Sequence, residues 1–345
     1  MTVEVAIVGA GAAGAGTAYA LRDTPIDVSV FEKSRGVCGR AATRRNNGCI
    51  YDHGANYVKS DDERVAALVT ETLNSDGLVD IAEPVWTFDA DGTISEGRNE
   101  DAHKWSYEGG ITQLAKRLFA ETDATVTHGV RVEEPIRVED GWQLRDDGGV
   151  TLGTFDALLL TPPAPQTSDL FGMANWEHRL SPELRRKTAQ VPYRTIVSTV
   201  LHYPFEIEWP YYALVNTDKD HDVGWVSDES CEPGHVPDGE GLLIAQMSPE
   251  WSVENYDIPD TELTDATSDL VADLLDDVNL AKPDWTDTQH WRYAIPDGGI
   301  DDDLQERAAE YDLFLAGDWV AGEGRVHAAL RSGLETGERI AARLG

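Results

Sequence analysis

The fold is decided by the segment at residues 3–21, which reads VEVAIVGAGAAGAGTAYAL. Its first part, VEVAIV at 3–8, is a short β-branched run that predicts a buried parallel strand. The glycine-rich loop GAGAAG occupies 9–14, and an apolar helix follows to about Arg22. A second strand, DVSVFE, ends at Glu32. The order strand, loop, helix, strand predicts an α/β fold with a parallel sheet at the amino terminus.

The loop has the GxGxxG spacing of a dinucleotide-binding turn, in the required place between a strand and a helix. Gly9 permits the tight turn, Gly11 lets the backbone approach a pyrophosphate, and Gly14 allows close helix–strand packing. Glu32, 18 residues after Gly14, stands where an acid accepts hydrogen bonds from the adenosine ribose. The alternative is an incidental Gly/Ala-rich turn. We expect a Rossmann-like unit that binds its cofactor through Gly9, Gly11, Ala12, Ala13, Gly14 and Glu32.

NAD and FAD share this pattern, so the next segments must separate them. Residues 32–45 read EKSRGVCGRAATRR, with Lys33 directly after the ribose acid and Gly39-Arg40 closing a glycine-rich loop. Four arginines fall within eleven positions of a chain that has only 28 basic residues. They predict a local anion site, formed by Arg35, Arg40, Arg44 and Arg45. The alternative is a solvated basic loop.

The carboxyl-terminal end favours FAD. The strand-like run LFLAGDW ends in Gly317-Asp318, and a helix is predicted over 326–343. This end resembles a class of FAD-binding proteins in which the Asp holds the ribityl or phosphate end of FAD. The resemblance implies the same role for Asp318, unless it only caps a helix or a turn. The amino terminus of the last helix, at Val326, would then face the flavin and stabilise negative charge on it by roughly 0.3–1 kcal/mol.

The segments between these ends predict an interrupted domain. Helical patterns fall at 61–75 and 110–121, and the stretch 78–105 is strand-like. Short strands follow, up to the buried run FDALLLTPP at 155–163. The long acidic section 166–285 predicts a second domain of mixed strands and helices, inserted into the first.

Composition limits the function. The 345 residues carry a net charge of −35, which argues against nucleic acid and anionic membranes as partners, because both require a basic surface. The 36 Asp and 27 Glu are spread along the chain, and only 7 of its 28 basic residues are Lys. This pattern predicts adaptation to high salt, where repulsion is screened within about 3 Å at roughly 1 M, and hence a halophilic source.

Three cysteines without a CxxC pair argue against a disulfide framework or a zinc site, and we expect no metal. No signal peptide is visible, and the apolar runs are too short for a typical membrane span. We therefore expect a cytoplasmic protein. The oligomeric state stays open.

The chain resembles the renalase-like FAD-dependent oxidoreductases of the flavin amine oxidase superfamily. The matching stretches span nearly the whole chain in the family's order; Cys38, where the family usually has Gly, is a departure. They are GAGAAG, EKSRGVCGRAATRR, DHGANY (52–57), YEGGITQLAKRL (107–118), FDALLLTPPAP (155–165), HWRYAIP (290–296) and LFLAGDWVAGEGRVHAALRSG (313–333).

This resemblance implies a p-hydroxybenzoate hydroxylase-like, amine oxidase-like architecture with an inserted α+β substrate domain. Val132 matches the residue whose backbone meets the adenine. The segment Gly54, Ala55, Asn56 and Tyr57 matches one near the flavin ring. The FAD domain would comprise 1–60, 105–165 and 285–345, and the substrate domain 61–104 and 166–284.

The resemblance further implies non-covalent FAD that takes hydride from a small donor and passes electrons to oxygen or another acceptor. The donor would be an aberrant isomer of a reduced nicotinamide dinucleotide. An amine, a porphyrinogen or an isoprenoid remains an alternative, and so does a non-catalytic FAD-binding protein. An NAD-binding dehydrogenase without flavin is the alternative on cofactor.

No catalytic triad is evident. His53, His202, His290 and His327 are candidates for titration in a cleft, although a lone histidine is more often structural. Lys282, the one lysine near the right region for a flavin-side lysine, sits in an acidic loop and is not favoured. Aromatic side chains that could sandwich a flat substrate are Trp105, Trp225, Trp291 and Tyr293.

Overall fold

The computed structural model describes residues 2–97 and 103–345, so part of the predicted strand region 78–105 lies outside the described residues. In chain order, the strands of the described residues are β1 Val3–Val8, β2 Ile26–Glu32, β3 Arg44–Asn46, β4 Cys49–Tyr51, β5 Val58–Lys59, β6 Leu78–Asp80, β7 Val85–Phe88, β8 Ile94–Ser95, β9 Lys104–Tyr107, β10 Thr125–His128, β11 Val132–Val138, β12 Gly141–Asp146, β13 Thr151–Phe155, β14 Ala157–Leu160, β15 Tyr193–Tyr203, β16 Ala213–Asn216, β17 Val223–Asp228, β18 Gly241–Met247, β19 Trp285–Pro296 and β20 Leu313–Leu315.

The α-helices of the same residues are α1 Ala12–Leu21, α2 Glu63–Ala67, α3 Thr112–Ala120, α4 Ala164–Met173, α5 Leu180–Ala189, α6 Pro249–Glu254, α7 Asp260–Leu275, α8 Asp302–Ala309, α9 Asp318–Ala321 and α10 Val326–Leu344. Short 3-10 turns lie at Gly39–Ala41, Glu229–Cys231 and Val278–Ala281, and a π-helical turn at Leu68–Thr72.

The predicted parallel sheet has the strand order β10-β2-β1-β14-β20, with every pair parallel. Strands from both ends of the chain therefore lie side by side. Helices α1, α3 and α10 pack on one face, and the antiparallel meander β11-β12-β13 with α4, α5 and α8 lies on the other. Burial on both faces explains why β1 and β14 read as continuous apolar runs.

Small residues in α1 let α10 approach closely. A Cβ at Gly333 of α10 would lie 2.1 Å from the backbone oxygen of Ala13, so a larger residue cannot be placed there. The Thr17 hydroxyl donates to the Gly333 oxygen at 2.8 Å, which satisfies a buried polar group across the contact. The close packing brings the amino termini of both helices to the same edge of the sheet.

The second large sheet has the order β19-β15-β18-β17-β16-β7-β8, antiparallel except for the β16–β7 pair. Its buried face packs against α6 and α7. Two segments cross the proposed domain division. Strand β19, assigned to the FAD domain, pairs along its length with β15 of this sheet. Helix α2, assigned to the substrate domain, packs Val65 into the core around α1.

Candidate functional site

A cavity of about 1450 Å³ opens where the parallel strands end. Its walls include the last residues of β1 and β2, Thr161 after β14 and Gly317 after β20. Ligands of open α/β sheets bind at this carboxyl edge. The volume exceeds the roughly 300–1,000 Å³ of ordinary small-molecule pockets, so it has room for a dinucleotide and a second small molecule.

The glycine-rich loop forms one end of the cavity. A Cβ at Gly14 would lie 2.1 Å from the Gly9 oxygen, so Gly14 is needed for packing and does not line the cavity. A Cβ at Gly11 would meet no described atom within 4 Å, so the loop faces open space there. Glu32 accepts the Ala10 N–H at 2.8 Å and the Ser34 N–H at 2.7 Å, which ties β2 to the loop.

The remaining predicted cofactor residues also line the cavity: Ala12, Ala13, Lys33, Gly39, Arg40, Gly54, Ala55, Asn56, Tyr57, Val132, Gly317, Asp318 and Val326. Two helices, α1 and α10, begin at this cavity, and their first-turn N–H groups favour anions.

In the lining of the cavity, Arg40 Nη2 lies 2.7 Å from Asp318 Oδ1. The other guanidinium nitrogen, Nη1, donates to the Ala294 oxygen at 2.8 Å. Asp318 Oδ1 also accepts the Trp319 N–H at 2.9 Å. The pair joins the loop after β2 to the start of α9, and it fixes both walls.

The predicted four-arginine anion site is wrong. Only Arg40 of the four lines the cavity. Arg44 binds Asp287 at 2.8 Å, Arg45 donates to the Gly109 oxygen at 2.7 Å, and Arg35 is exposed. The hairpin β3–β4 turns the chain after the 3-10 turn Gly39–Ala41, so the later arginines point at other partners.

The segment 52–56, of which Gly54, Ala55 and Asn56 line the cavity, forms one wall of it. Its backbone groups are held at successive positions: Trp291 Nε1 donates to the His53 oxygen at 3.2 Å, Gln246 Nε2 to the Gly54 oxygen at 2.6 Å, and the Ala55 N–H to the Arg40 oxygen at 3.1 Å. This wall is therefore rigidly placed relative to β18 and β19.

Three of the four predicted aromatic residues, Trp225, Trp291 and Tyr293, line the cavity. The prediction for Trp105 is wrong. Strand β9 is the central strand of the small sheet β5-β9-β6, and it directs Trp105 into the core around α1, where the side chain is 8% exposed. Its ring stacks on His103 with centroids 5.5 Å apart.

Of the four candidate histidines, His290 and His327 line the cavity. His53 is buried behind Trp291, and burial together with the Arg44 charge lowers its pKa to about 3. His202 lies away from the cavity, 2.8 Å from Glu240. Lys282 is exposed and does not line it.

Sequence reasoning missed several cavity residues, because no local pattern marks them: Thr161, Arg194, Lys219, Tyr256, Arg292 and Arg325. Two groups of Cys, His, Asp and Glu side chains, residue types that can bind metals, also come within 4.8 Å of one another: Cys49 with His202 and Glu240, and Asp52 with Glu232 and His235. The three members of the first group are far apart in sequence, and in the second group Asp52 is far from the neighbouring Glu232 and His235, so neither group was found from spacing.

Comparison with known proteins assigns the family. The sequence profile of the flavin containing amine oxidoreductases matches residues 82–341, and that of the NAD(P)-binding Rossmann-like domain matches 7–72. The chain belongs to the flavin-containing amine oxidoreductase family. Flavin is therefore the cofactor that this cavity must accommodate.

Solved structures share the fold of this flavin-containing amine oxidoreductase. A protein assigned as a protoporphyrinogen oxidase from Exiguobacterium sp. 255-15 has a TM-score of 0.79 at 14% identity, covering 99% of both chains. Cyclohexylamine oxidase from Brevibacterium oxydans has a TM-score of 0.73 at 15% identity, covering 100% of both. These likenesses establish the fold, whereas the substrate of this chain needs other arguments.

Protoporphyrinogen oxidase 2 of Arabidopsis thaliana is 37% identical over 68 residues, which is 20% of this chain and 13% of that protein. The match therefore spans about an eighth of the curated relative. Within the described residues, no helix has the length and apolarity needed to cross a membrane.

The cavity fits a flavin dinucleotide. The open face at Gly11 leaves room for a pyrophosphate against the backbone, and the first turn of α1 supplies N–H donors beside it. The start of α10 supplies a second positive helix end in the same cavity. The two helix ends suit a ligand that is negative at one end and gains negative charge at the other.

Proposed function

We propose that this chain is an FAD-dependent oxidoreductase that takes hydride from a small anionic donor. The first candidate is an aberrant isomer of a reduced nicotinamide dinucleotide, which is returned to its normal oxidised form. When bound, FAD supplies the hydride-accepting ring. The residues of this chain would bind, orient and desolvate the two ligands.

The observation that carries the proposal is the charge of the cavity. Among the described residues that line it, eight are Lys or Arg and six are Asp or Glu, although the whole chain has 28 basic and 63 acidic residues. Three of the seven lysines, Lys33, Lys59 and Lys219, are at this one place. A positive cavity in a strongly negative protein concentrates anions there.

The basic side chains other than Arg40, which is paired with Asp318, are the candidates for binding the donor. Arg194 is neutralised by two hydrogen bonds to Asp297, one of them 3.0 Å long. Among ion pairs of the described residues, none includes Lys219, Arg292 or Arg325. Arg292 instead lies over the Tyr256 ring, 5.1 Å from its centroid. Such cations are available to phosphate groups of a donor.

Within this proposal FAD is held non-covalently. Gly11 and the start of α1 would hold the pyrophosphate, Glu32 the adenosine ribose and Val132 the adenine. Gly54, Ala55, Asn56 and the start of α10 would hold the flavin ring. Trp225, Trp291 and Tyr293 then border the remaining space, where a flat donor ring could stack.

The test is anaerobic mixing of the FAD-loaded protein with each class of donor, followed by the visible absorbance of the flavin. We expect reduced dinucleotide isomers to bleach it. The matching nicotinamide riboside has the same ring without phosphates, and we expect it to need at least about tenfold higher concentration for the same rate. The proposal would be refuted if amines bleached the flavin, or if none of the donors did.

Arg292→Gln should raise the dinucleotide concentration for half-maximal rate by about tenfold, because one cation facing the phosphates is lost. Arg64→Gln is the matched control. It makes the same change in net charge on the surface, where Arg64 pairs with Glu338. Equal effects of the two variants would show that only the overall charge matters.

A porphyrinogen is the second candidate, because its carboxylates would also meet Lys219, Arg292 and Arg325. The likeness to protoporphyrinogen oxidases directs attention to this class. The same mixing experiment separates the candidates: porphyrinogen would bleach the flavin and the dinucleotides would not. An amine donor is less favoured, since a cation would enter a cavity with a basic excess.

A further inference from the structure

Four ionisable side chains meet in the protein interior behind the wall 52–56. Asp52, Glu229 and His235 have no exposed surface, and Glu232 is 1% exposed. Glu229 and Glu232 come from the turn after β17, and His235 follows them. Ionised side chains are rarely buried completely, because desolvation is costly unless each charge is compensated. The proposed function does not use this cluster.

His235 is the centre of the cluster. Its Nδ1 lies 3.2 Å from Glu229 Oε2, and its Nε2 lies 3.1 Å from the backbone oxygen of Tyr107. A carboxylate and a carbonyl only accept hydrogen bonds, so both ring nitrogens must donate. The ring is therefore an imidazolium, and neither nitrogen is left to bind a metal ion.

Glu232 is the member without hydrogen bonds. Both of its carboxyl oxygens are buried and have no partner among the described residues, and Oε2 lies 3.6 Å from His235 Nε2. Burial and the charge of Glu229 raise the pKa of Glu232 well above its usual value. A neutral carboxylic acid at this position avoids a third buried negative charge.

Asp52 connects the cluster to the cavity. Its backbone N–H donates to Glu229 Oε2 at 3.1 Å, and its backbone oxygen accepts from Asn56 Nδ2 at 2.7 Å. Its carboxylate accepts the Ile111 N–H at 2.9 Å. Any change in the Glu229–His235 contact therefore reaches the first residue of the wall.

We propose that His235 is a positioning residue: as an imidazolium beside a neutral Glu232, it holds Glu229 and Asp52 and thereby sets the position of the wall 52–56. This inference rests on the proposed function for placing the flavin ring at that wall. It adds a dependence of the flavin environment on the protonation of a group that does not touch the flavin.

The pH dependence of stability follows from the protons that the folded protein holds on His235 and Asp52. Burial opposes the charged His235 ring, but the hydrogen bond to Glu229 and the charges of Glu229 and Asp52 raise its pKa to about 9. Burial and Glu229 also raise the pKa of Asp52, to about 7, so Asp52 ionises before His235 loses its proton. The folded protein thus binds protons that the unfolded chain releases at lower pH. The stabilisation from His235 is complete below about pH 6.5, the unfolded value for His, and is lost as pH rises through about 9.

The other titratable groups that face the cluster keep their protons in this range. Tyr212, just before β16, has a pKa raised by burial and by Glu232 and Glu229. Tyr107 of β9 has a pKa raised by burial and lowered in part by Arg117. Burial raises the pKa of Cys38, beyond Asp52, to about 12. Asp52 ionises near pH 7, and His235 is the group of the cluster whose charge changes near pH 9.

The experiment follows the visible spectrum of FAD bound to the intact protein from about pH 6 to about pH 10. We expect a transition near pH 9 in the unaltered protein. His235→Gln should lack it and should hold FAD at least about tenfold more weakly at pH 7, since a buried carboxylate loses its partner. The matched control is His202→Gln, which removes a buried histidine 2.8 Å from Glu240 but outside the wall, and should keep the transition.

A second measurement needs no variant and remains valid if His235→Gln does not fold. Infrared spectra of the unaltered protein at pH 7.5 should contain the carbonyl band of a buried neutral carboxylic acid, and Glu232→Gln should lose that band. Absence of the band, or a flavin spectrum that does not change near pH 9, overturns the inference. Neither readout involves a donor, so failure of the donor experiment leaves both results interpretable.

Discussion

Arg40 Nη2 lies 2.7 Å from Asp318 Oδ1, although the two residues are 278 positions apart in the chain. One belongs to the loop after the second strand and the other to the start of α9, so their contact exists only when both ends of the chain have folded onto one sheet. Both residues line the cavity.

This contact should be measurable as a coupling energy. Arg40→Gln and Asp318→Asn should each destabilise the protein, because each leaves the other charge partly buried and unpaired. The double variant should be less destabilised than the sum of the two, with an interaction energy of about 1–3 kcal/mol. Urea unfolding of the four proteins gives this number, and additivity of the two effects would contradict it.

The two glycines of the binding loop should respond differently to alanine. In Gly14→Ala the new Cβ would lie 2.1 Å from the Gly9 oxygen, so we expect a loss of stability even without cofactor. In Gly11→Ala the Cβ enters open space and the backbone has an ordinary φ of −73, so the free protein should lose less than about 1 kcal/mol.

The Gly11 variant should nonetheless bind FAD at least about tenfold more weakly, because the methyl group takes the place of the pyrophosphate. Fluorescence titration with FAD and thermal melts of the free protein separate the two effects. Normal FAD affinity in Gly11→Ala would show that the dinucleotide lies elsewhere.

Trp291 and Trp105 form a matched pair of tests. Trp291 lines the cavity and donates to the His53 oxygen, whereas Trp105 is in the core. Trp291→Phe should change the fluorescence of bound flavin with little loss of stability. Trp105→Phe should leave that fluorescence unchanged and lower the free energy of unfolding by roughly 1–3 kcal/mol. A change in flavin fluorescence in Trp105→Phe would contradict the placement of this residue.

The cysteines should be unreactive in the folded protein. Burial raises the pKa of Cys49 to about 11 and that of Cys38 to about 12, and burial and Asp228 raise the pKa of Cys231. A raised pKa lowers the thiolate fraction at a given pH, and the thiolate is the reacting form. At pH 8 a thiol reagent should therefore modify all three cysteines quickly only after denaturation. Rapid reaction of the folded protein would contradict these environments.

The net charge of −35 predicts that stability depends on salt. Repulsion among carboxylates is screened within about 3 Å at roughly 1 M salt but acts over about 10 Å at 0.1 M. We expect the melting temperature to fall when KCl is lowered between these concentrations. An unchanged melting temperature would argue against adaptation to high salt.

Much of the cofactor end could be predicted locally. Gly14 is required because α1 packs against the turn at Gly9. These residues are close in sequence, so the GxGxxG spacing predicts the contact. The arginine cluster misled for the same reason: proximity in sequence predicted a shared anion site, but the hairpin β3–β4 sends Arg44 and Arg45 to other partners. Trp105 misled because its strand alone does not reveal which face is buried.

From the sequence alone, the strand–loop–helix order determined the parallel α/β fold and the position of the dinucleotide loop, since both depend on neighbours within about thirty residues. The basic residues that tertiary structure adds to the cavity lining, Arg194, Lys219, Arg292 and Arg325, could not be predicted from local sequence, and neither could the buried cluster around His235. Their members come from separate loops and strands, and their charge states depend on a burial that exists only after the sheets have packed.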